Sequence, residues 1–151
     1  MTSLLASLLA CDVGMHTLKP GVSTRDDVMR VMGRPANEWR QPDGSTVIEF
    51  SRQPEGVENW FVAIGPDGRL KEIRNVLSDA NFARIRNGMT KDEVVEVIGT
   101  PGQRMTFPLK REEVWSWRYS PQPGNKFDFN VHFDVGGRVV NTSRVSADVS
   151  G

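Results

Sequence analysis

The sequence predicts an α+β protein made of two tandem units, each a helix-helix-three-strand arrangement whose antiparallel sheet is covered by a helical pair. Two observations predict it. A capped-helix signature occurs twice, residues 24–35 and 90–101, at a separation of 66: Thr24 matches Thr90, Asp26 matches Asp92, Val28 matches Val94, Val31 matches Val97, Gly33 matches Gly99 and Pro35 matches Pro101. Alternating strands follow each copy, and the correspondence resumes at a separation of 69, where residues 60–64 align with 129–133 and residues 67–70 with 136–139. Self-similarity at fixed spacing marks a duplicated structural unit, here of about 65 residues. Two copies are too few for a solenoid, so a pair of packed half-domains is expected, residues 11–77 and 78–151.

Within each unit the helices come first. Thr90 stands at an N-cap and Glu93 three residues later completes a capping-box pattern, in which the hydroxyl accepts from the Glu93 amide and the carboxylate reaches back to the Thr90 amide. Asp92 and Glu93 add negative charge at the positive end of the helix dipole. Val94, Val95 and Ile98, with Val97 at the edge, make an apolar stripe at helical spacing. Gly99 supplies a left-handed stop and Pro101 prevents resumption. Upstream, Ser78 and Asp79 cap a short helix through Phe82 and Ile85, ended by Gly88. Met15 and Leu18 occupy the equivalent places in the first unit, where Gly14 weakens the helix.

The strands come next. Residues 47–50 correspond to 114–119, with Ile48 and Phe50 matching Trp117 and Tyr119 on one face. Residues 60–64 correspond to 127–133, where Phe127, Phe129, Val131 and Phe133 point inward and Asp128, Asn130 and His132 outward. Asp67-Gly68 and Gly136-Gly137 mark hairpin turns into final strands at 70–76 and 139–145. A three-stranded sheet with one apolar face must be covered, and the helical pair is the available cover. Whether the units share one sheet or form two is open at this level.

Composition bounds the function. With Lys+Arg 19 against Asp+Glu 19, the chain has no basic footprint for nucleic acid. No apolar run reaches the roughly 18 to 20 residues of a spanning helix. The single cysteine, Cys11, excludes an intrachain disulfide and a cysteine-based metal cluster. Residues 1–10 are uncharged and mostly apolar, and Leu8-Leu9-Ala10-Cys11 resembles a bacterial lipobox, in which signal peptidase cuts before a lipidated cysteine. A short apolar tail with an incidental thiol is the alternative. The run has no Lys or Arg before it, and Leu9 takes a place more often held by a small residue.

A search for chemistry finds no enzyme and no cofactor site. His16 and His132 lie far apart without ligand-like neighbours, and there is no phosphate loop, nucleophile elbow or triad pattern. The unexplained excess is aromatic: Trp39, Trp60, Trp115 and Trp117, with Phe107 and Tyr119 close by. Trp115, Trp117 and Tyr119 share one strand face, which reads either as core or, with Arg118 on the exposed side, as a protein-binding patch. Edge strands of an uncapped sheet offer a second route to a partner strand.

The run Gly88-Met-Thr-Lys-Asp-Glu-Val-Val-Glu-Val-Ile-Gly-Thr-Pro101, followed by Val114-Trp-Ser-Trp-Arg-Tyr119 and Phe129-Asn-Val-His-Phe133, resembles the SmpA/OmlA family of small bacterial lipoproteins, which includes BamE. The first unit looks like a diverged copy. The resemblance implies a non-enzymatic protein on the periplasmic face of the outer membrane. It would be anchored through lipidated Cys11 and would bind subunits of the machinery that assembles barrel proteins, or another envelope protein. Asp12 after the cysteine leaves inner-membrane retention open. The family's assembly factor has one such unit and this chain two. A tandem pair also looks like the β-lactamase inhibitory proteins, so the alternative reading is an inhibitor or binding protein of a periplasmic hydrolase.

Overall fold

Two four-stranded antiparallel sheets, each in chain order, organise the protein. The computed structural model describes residues 14–147. Helix α1 (Arg25–Met32) precedes β1 (Asn37–Arg40), β2 (Thr46–Ser51), β3 (Asn59–Ile64) and β4 (Leu70–Asn75); then come α2 (Asp79–Phe82), α3 (Lys91–Ile98), β5 (Gln103–Phe107), a 3-10 turn (Pro108–Lys110), β6 (Glu112–Gln122), β7 (Asn125–Phe133) and β8 (Val139–Ser146). The first compact unit takes the described residues through Phe50 together with Trp60–Arg74. The second takes Ser51–Asn59 and everything from Asn75 onward. The sheets are therefore separate, β1 to β4 in one and β5 to β8 in the other.

Eight residues are too few for a helix to persist alone in water, so α1 and α3 depend on their caps and on the apolar face they bury. At α1 the capping box is complete: the Asp27 amide donates to Thr24 Oγ1 at 3.3 Å and the Thr24 amide to Asp27 Oδ2 at 2.9 Å. At α3 the predicted box is only half formed. The Glu93 amide donates to Thr90 Oγ1 at 3.2 Å, but the Glu93 carboxylate accepts from the Thr90 hydroxyl, at 3.1 Å, and not from its amide. Gly99 leaves the helix at φ 79° and ψ −165°. That is not the left-handed stop expected but an extended positive-φ conformation, which glycine alone adopts without large strain.

In the first unit Val28 and Met32 of α1 pack with Leu18, Ile48, Phe50, Val62, Ile64 and Leu70. In the second, Val94 and Ile98 of α3 are fully buried, with Phe82 and Ile85, against Trp115, Trp117, Tyr119, Phe129, Val131, Phe133 and Val139. Each fully buried aliphatic side chain of this kind contributes about 1.5–3 kcal/mol relative to exposure. β7 alternates as its sequence requires, with Phe129, Val131 and Phe133 buried and Asp128, Asn130 and His132 on the other face.

Each sheet has four strands, not three. The additional ones, β1 and β5, are edge strands whose sequences, Asn-Glu-Trp-Arg and Gln-Arg-Met-Thr-Phe, carry too few apolar residues to mark a buried face. None of the β5 residues is buried. Its extended form is fixed by the ladder with β6, from Gln103 opposite Ser116 to Phe107 opposite Glu112, to which Thr106 and Phe107 add their strand preference.

Candidate functional site

β6 carries the predicted binding residues. Alternation puts Trp115, Trp117 and Tyr119 on its inner face, and there they are 7%, 0% and 4% exposed. Trp117 Nε1 donates to the Gly99 carbonyl at 2.9 Å, so the ring also closes the end of α3. Tyr119 lies edge-on to Phe82 at 4.8 Å between centroids, and Phe82 stacks on Phe129 at 4.2 Å. These three rings pack as core, the first of the two readings, because two short helices leave a volume over the sheet that large side chains fill. Arg118 points the other way. Its guanidinium is held by both oxygens of Asp128, at 2.9 and 3.1 Å, and the side chain is 42% exposed. Cys11 and Asp12 lie outside the described residues, as do residues 1–10.

Apart from Val140 and Val145 on β8, the exposed large apolar side chains described in this unit lie on β5 and the loops near it. Met105 and Phe107 are exposed on the strand, Leu109 is fully exposed on the 3-10 turn, and Val135 is exposed after β7. Phe107 and Val135 line a cavity of about 370 Å³ with Lys91, Arg111, Glu112 and Glu113. A charged cluster braces its floor: Lys91 Nζ pairs with Glu113, Trp115 Nε1 donates to the same carboxylate at 2.8 Å, and Lys91 and Arg104 stand 5.3 and 4.6 Å from the centre of the Trp115 ring. The hydrogen bonds from Lys91 and then Trp115 hold the Glu113 carboxyl below its ordinary value. On its far side β5 has, among the described residues, no strand neighbour. An unpaired edge flanked by apolar side chains is suited to taking a partner's main chain.

A third feature was invisible in the sequence. On the outer face, cross-strand neighbours form one directed row: Ser116 Oγ donates to Asn130 Oδ1 at 2.6 Å, and Asn130 Nδ2 lies 3.4 Å from Ser143 Oγ. That hydroxyl is 3.1 Å from His132 Nε2, and His132 Nδ1 is 3.2 Å from Glu112 Oε2. Its last three members have the connectivity of a serine-histidine-carboxylate triad. They stand on neighbouring strands of an open sheet face, where the row serves as a polar ladder stiffening that face. Its members are scattered over residues 112–143 and only strand register joins them. Among the described residues no group of three or more His, Cys, Asp or Glu is placed to hold a metal ion, and no helix is long and apolar enough to cross a membrane.

Among known protein families, the match falls in the second unit. Residues 74–143 match the outer membrane protein assembly factor BamE domain. The BamE-like stretch runs from the end of β4 into β8, just under half of the chain, and so includes the β5 edge, the Trp-bearing β6 and the polar row. No curated protein matches the chain. Among solved structures, a candidate osmotically inducible lipoprotein, OsmE, is 25% identical over 48% of this chain and 77% of its own, with a TM-score of 0.38. A DUF4309 family protein, YjgB, from Bacillus subtilis subsp. subtilis str. 168, is 12% identical over 93% of this chain and 95% of its own, with a TM-score of 0.34. None of these favours the hydrolase-inhibitor reading.

Proposed function

We propose that the protein is a non-enzymatic envelope lipoprotein, anchored through Cys11, that supports outer-membrane protein assembly by binding subunits of the assembly machinery. The observation that carries it is the BamE-domain match over residues 74–143. The exposed edge and apolar tip of the same unit support a binding role, with Arg118 on the outer face of β6 as the part of the predicted patch still open to a partner. We further infer that the two units, with a boundary near residues 77 and 78, are copies of one ancestral element. Each sheet has four strands in chain order, and the cap threonine bridges an arginine after the last hairpin in both, Thr24 with Arg69 and Thr90 with Arg138. Outer-membrane attachment is the reading preferred, with Asp12 as the feature that would favour the inner membrane.

The test is replacement of the chromosomal gene by a deletion or by Cys11→Ser. The deletion is expected to lower barrel-protein levels and raise vancomycin sensitivity, and the wild-type protein from membranes is expected to show acyl chains by intact mass that Cys11→Ser lacks. Normal barrel-protein levels and unchanged sensitivity in the deletion would refute the role. An unmodified wild-type chain in the soluble fraction would refute the anchor.

A further inference from the structure

β6 continues to Gln122, but its pairing with β5 stops at Gln103 opposite Ser116, with one further bond from the Gly102 amide to the Ser116 carbonyl at 2.9 Å. That last bond is already out of the β5–β6 register, so the ladder ends there, and Pro101, the residue before Gly102, has no N–H to continue it towards Arg118. The vacant rung is filled by a side chain. Gln53 Nε2 donates to the Arg118 carbonyl at 2.7 Å, and the Arg118 amide donates to Gln53 Oε1 at 3.0 Å. Residues 51–59 belong to the same compact unit as β6. A primary carboxamide thus makes the donor and acceptor pair that a strand residue would make with its backbone.

The surroundings are shaped to this arrangement. A Cβ on Gly102 would sit 2.7 Å from Gln53 Oε1 and 3.3 Å from Pro54 Cα, so any side chain there would push the carboxamide aside. A cavity of about 180 Å³ opens beside the carboxamide towards the outer face, lined by Gln53, Pro54, Gln103, Ser116, Arg118 and Asp128. Beyond Arg118 the next residue in that register is Ser120, whose hydroxyl donates to the Gln122 carbonyl.

We propose that this stretch of the β6 edge is a docking site for an extended main-chain segment of a partner protein, and that Gln53 is its internal stand-in, displaced when the segment binds. The occupant follows from the stand-in: what the rung recognises is an amide group with its N–H and C=O side by side, which is the repeating unit of an extended peptide. A docked strand would pair with Arg118 and Ser120 in line with β5. Its residue at the Arg118 rung would face the cavity, where the paired Arg118 and Asp128 suit a small uncharged polar side chain such as Thr or Ser. The inference goes beyond the envelope role and does not depend on it.

The test uses the purified full chain and a soluble fluorescein-labelled octapeptide of alternating Thr and Val as probe. In a wild-type NMR titration, saturating peptide is expected to move the Gln53 side-chain amide signals towards free-solvent values while the Ser120 backbone amide becomes protected from exchange. By fluorescence anisotropy, Gln53→Ala, which leaves the rung open, is expected to bind the probe about tenfold more tightly than wild type, equivalent to the loss of one to two competing hydrogen bonds. Gln53→Glu, which keeps the acceptor and loses the donor, should fall between. Unmoved Gln53 and Ser120 signals in the wild-type titration would overturn the proposal whether or not the variants fold. Equal affinities for a folded Gln53→Ala and wild type would make Gln53 a fixed part of the fold, and self-association of Gln53→Ala in place of peptide binding would replace the partner strand by a second copy.

Discussion

Asn59 offers the sharpest test of how the second unit is held together. It is fully buried, and its Nδ2 donates to the carbonyls of Ile98 at 2.9 Å and Thr100 at 3.0 Å, while its Oδ1 accepts from the Ser51 hydroxyl at 2.7 Å. Ile98 is the last residue of α3, so its carbonyl has no acceptor role within the helix and needs an outside donor. Asn59→Ala removes both donors from a site where water does not replace them easily. With about 1–3 kcal/mol for each buried group left unsatisfied, and the Thr100 contact only partly buried, the loss should be about 3 kcal/mol. Asn59→Asp keeps the shape but turns a carboxylate oxygen towards two carbonyls. It should cost more at neutral pH and recover in part once the carboxyl is protonated. Urea unfolding followed by far-ultraviolet circular dichroism would read the alanine change as a midpoint shift of roughly 1.5 M for a slope near 2 kcal/mol/M. A loss below about 0.5 kcal/mol for Asn59→Ala, or Asn59→Asp as stable as wild type, would refute the assignment of Asn59 as the donor that closes α3.

The Glu113 carboxyl, held below its ordinary value of 4.5 by Lys91 and Trp115, stabilises the fold above that value, and its contribution is lost as pH falls through the lower folded-state value. Glu113→Gln should therefore be less stable than wild type near pH 7, with the gap closing on acidification; a constant gap from pH 7 to pH 3 in urea titrations would contradict this. Thr24→Ala and Thr90→Ala should each cost about 1 kcal/mol, with Thr90 the larger because its hydroxyl both accepts from the Glu93 amide and donates to the Glu93 carboxylate, whereas the reciprocal bond at Thr24 uses the backbone amide that alanine keeps, and calorimetric melting would rank them. Leu109→Ser, at a fully exposed position, should change stability by less than about 0.5 kcal/mol while reducing capture of assembly-machine subunits in crosslinking. Undiminished capture would remove the β5 tip from the binding surface.

What the sequence made legible were features whose cause is local. The caps at Thr24, Ser78 and Thr90, the apolar stripe of α3 and the alternation of β7 each follow from spacing over a few residues, and all appear where spacing puts them. β1 and β5 escaped because their strand character is imposed by β2 and β6. The Glu93 side chain could reach either group of Thr90, and the pattern does not choose between them. At the site the limit is sharper. Gln53 and Arg118 are 65 residues apart and His132 and Ser143 lie on different strands. Pro101, whose missing N–H opens the β6 rung, was read only as a helix stop.

The aromatic excess was the most conspicuous feature of the sequence and also the one most open to two readings. Tryptophan and tyrosine serve cores and interfaces through the same property, large area with few rotatable bonds, so composition cannot separate the uses. The length of the helical cover can. α2 is a single turn and α3 only eight residues, so the helices deliver few side chains to the sheet, chiefly Phe82, Val94 and Ile98, with Ile85 from the turn that follows α2. The remaining volume has to be filled from the strand side, and Trp115, Trp117 and Tyr119 fill it. Once β6 spends its rings on the core, its inner face has nothing to offer a partner, and its outer face is occupied by the polar row and the Arg118–Asp128 pair. On the binding role proposed above, recognition falls to main-chain groups at the β5 and β6 edges, to the few apolar side chains beside them and to Arg118 on the adjoining face. A partner that binds there should be sensitive to substitutions at Gln53 and Leu109 and indifferent to any change at Trp117 that leaves the fold intact.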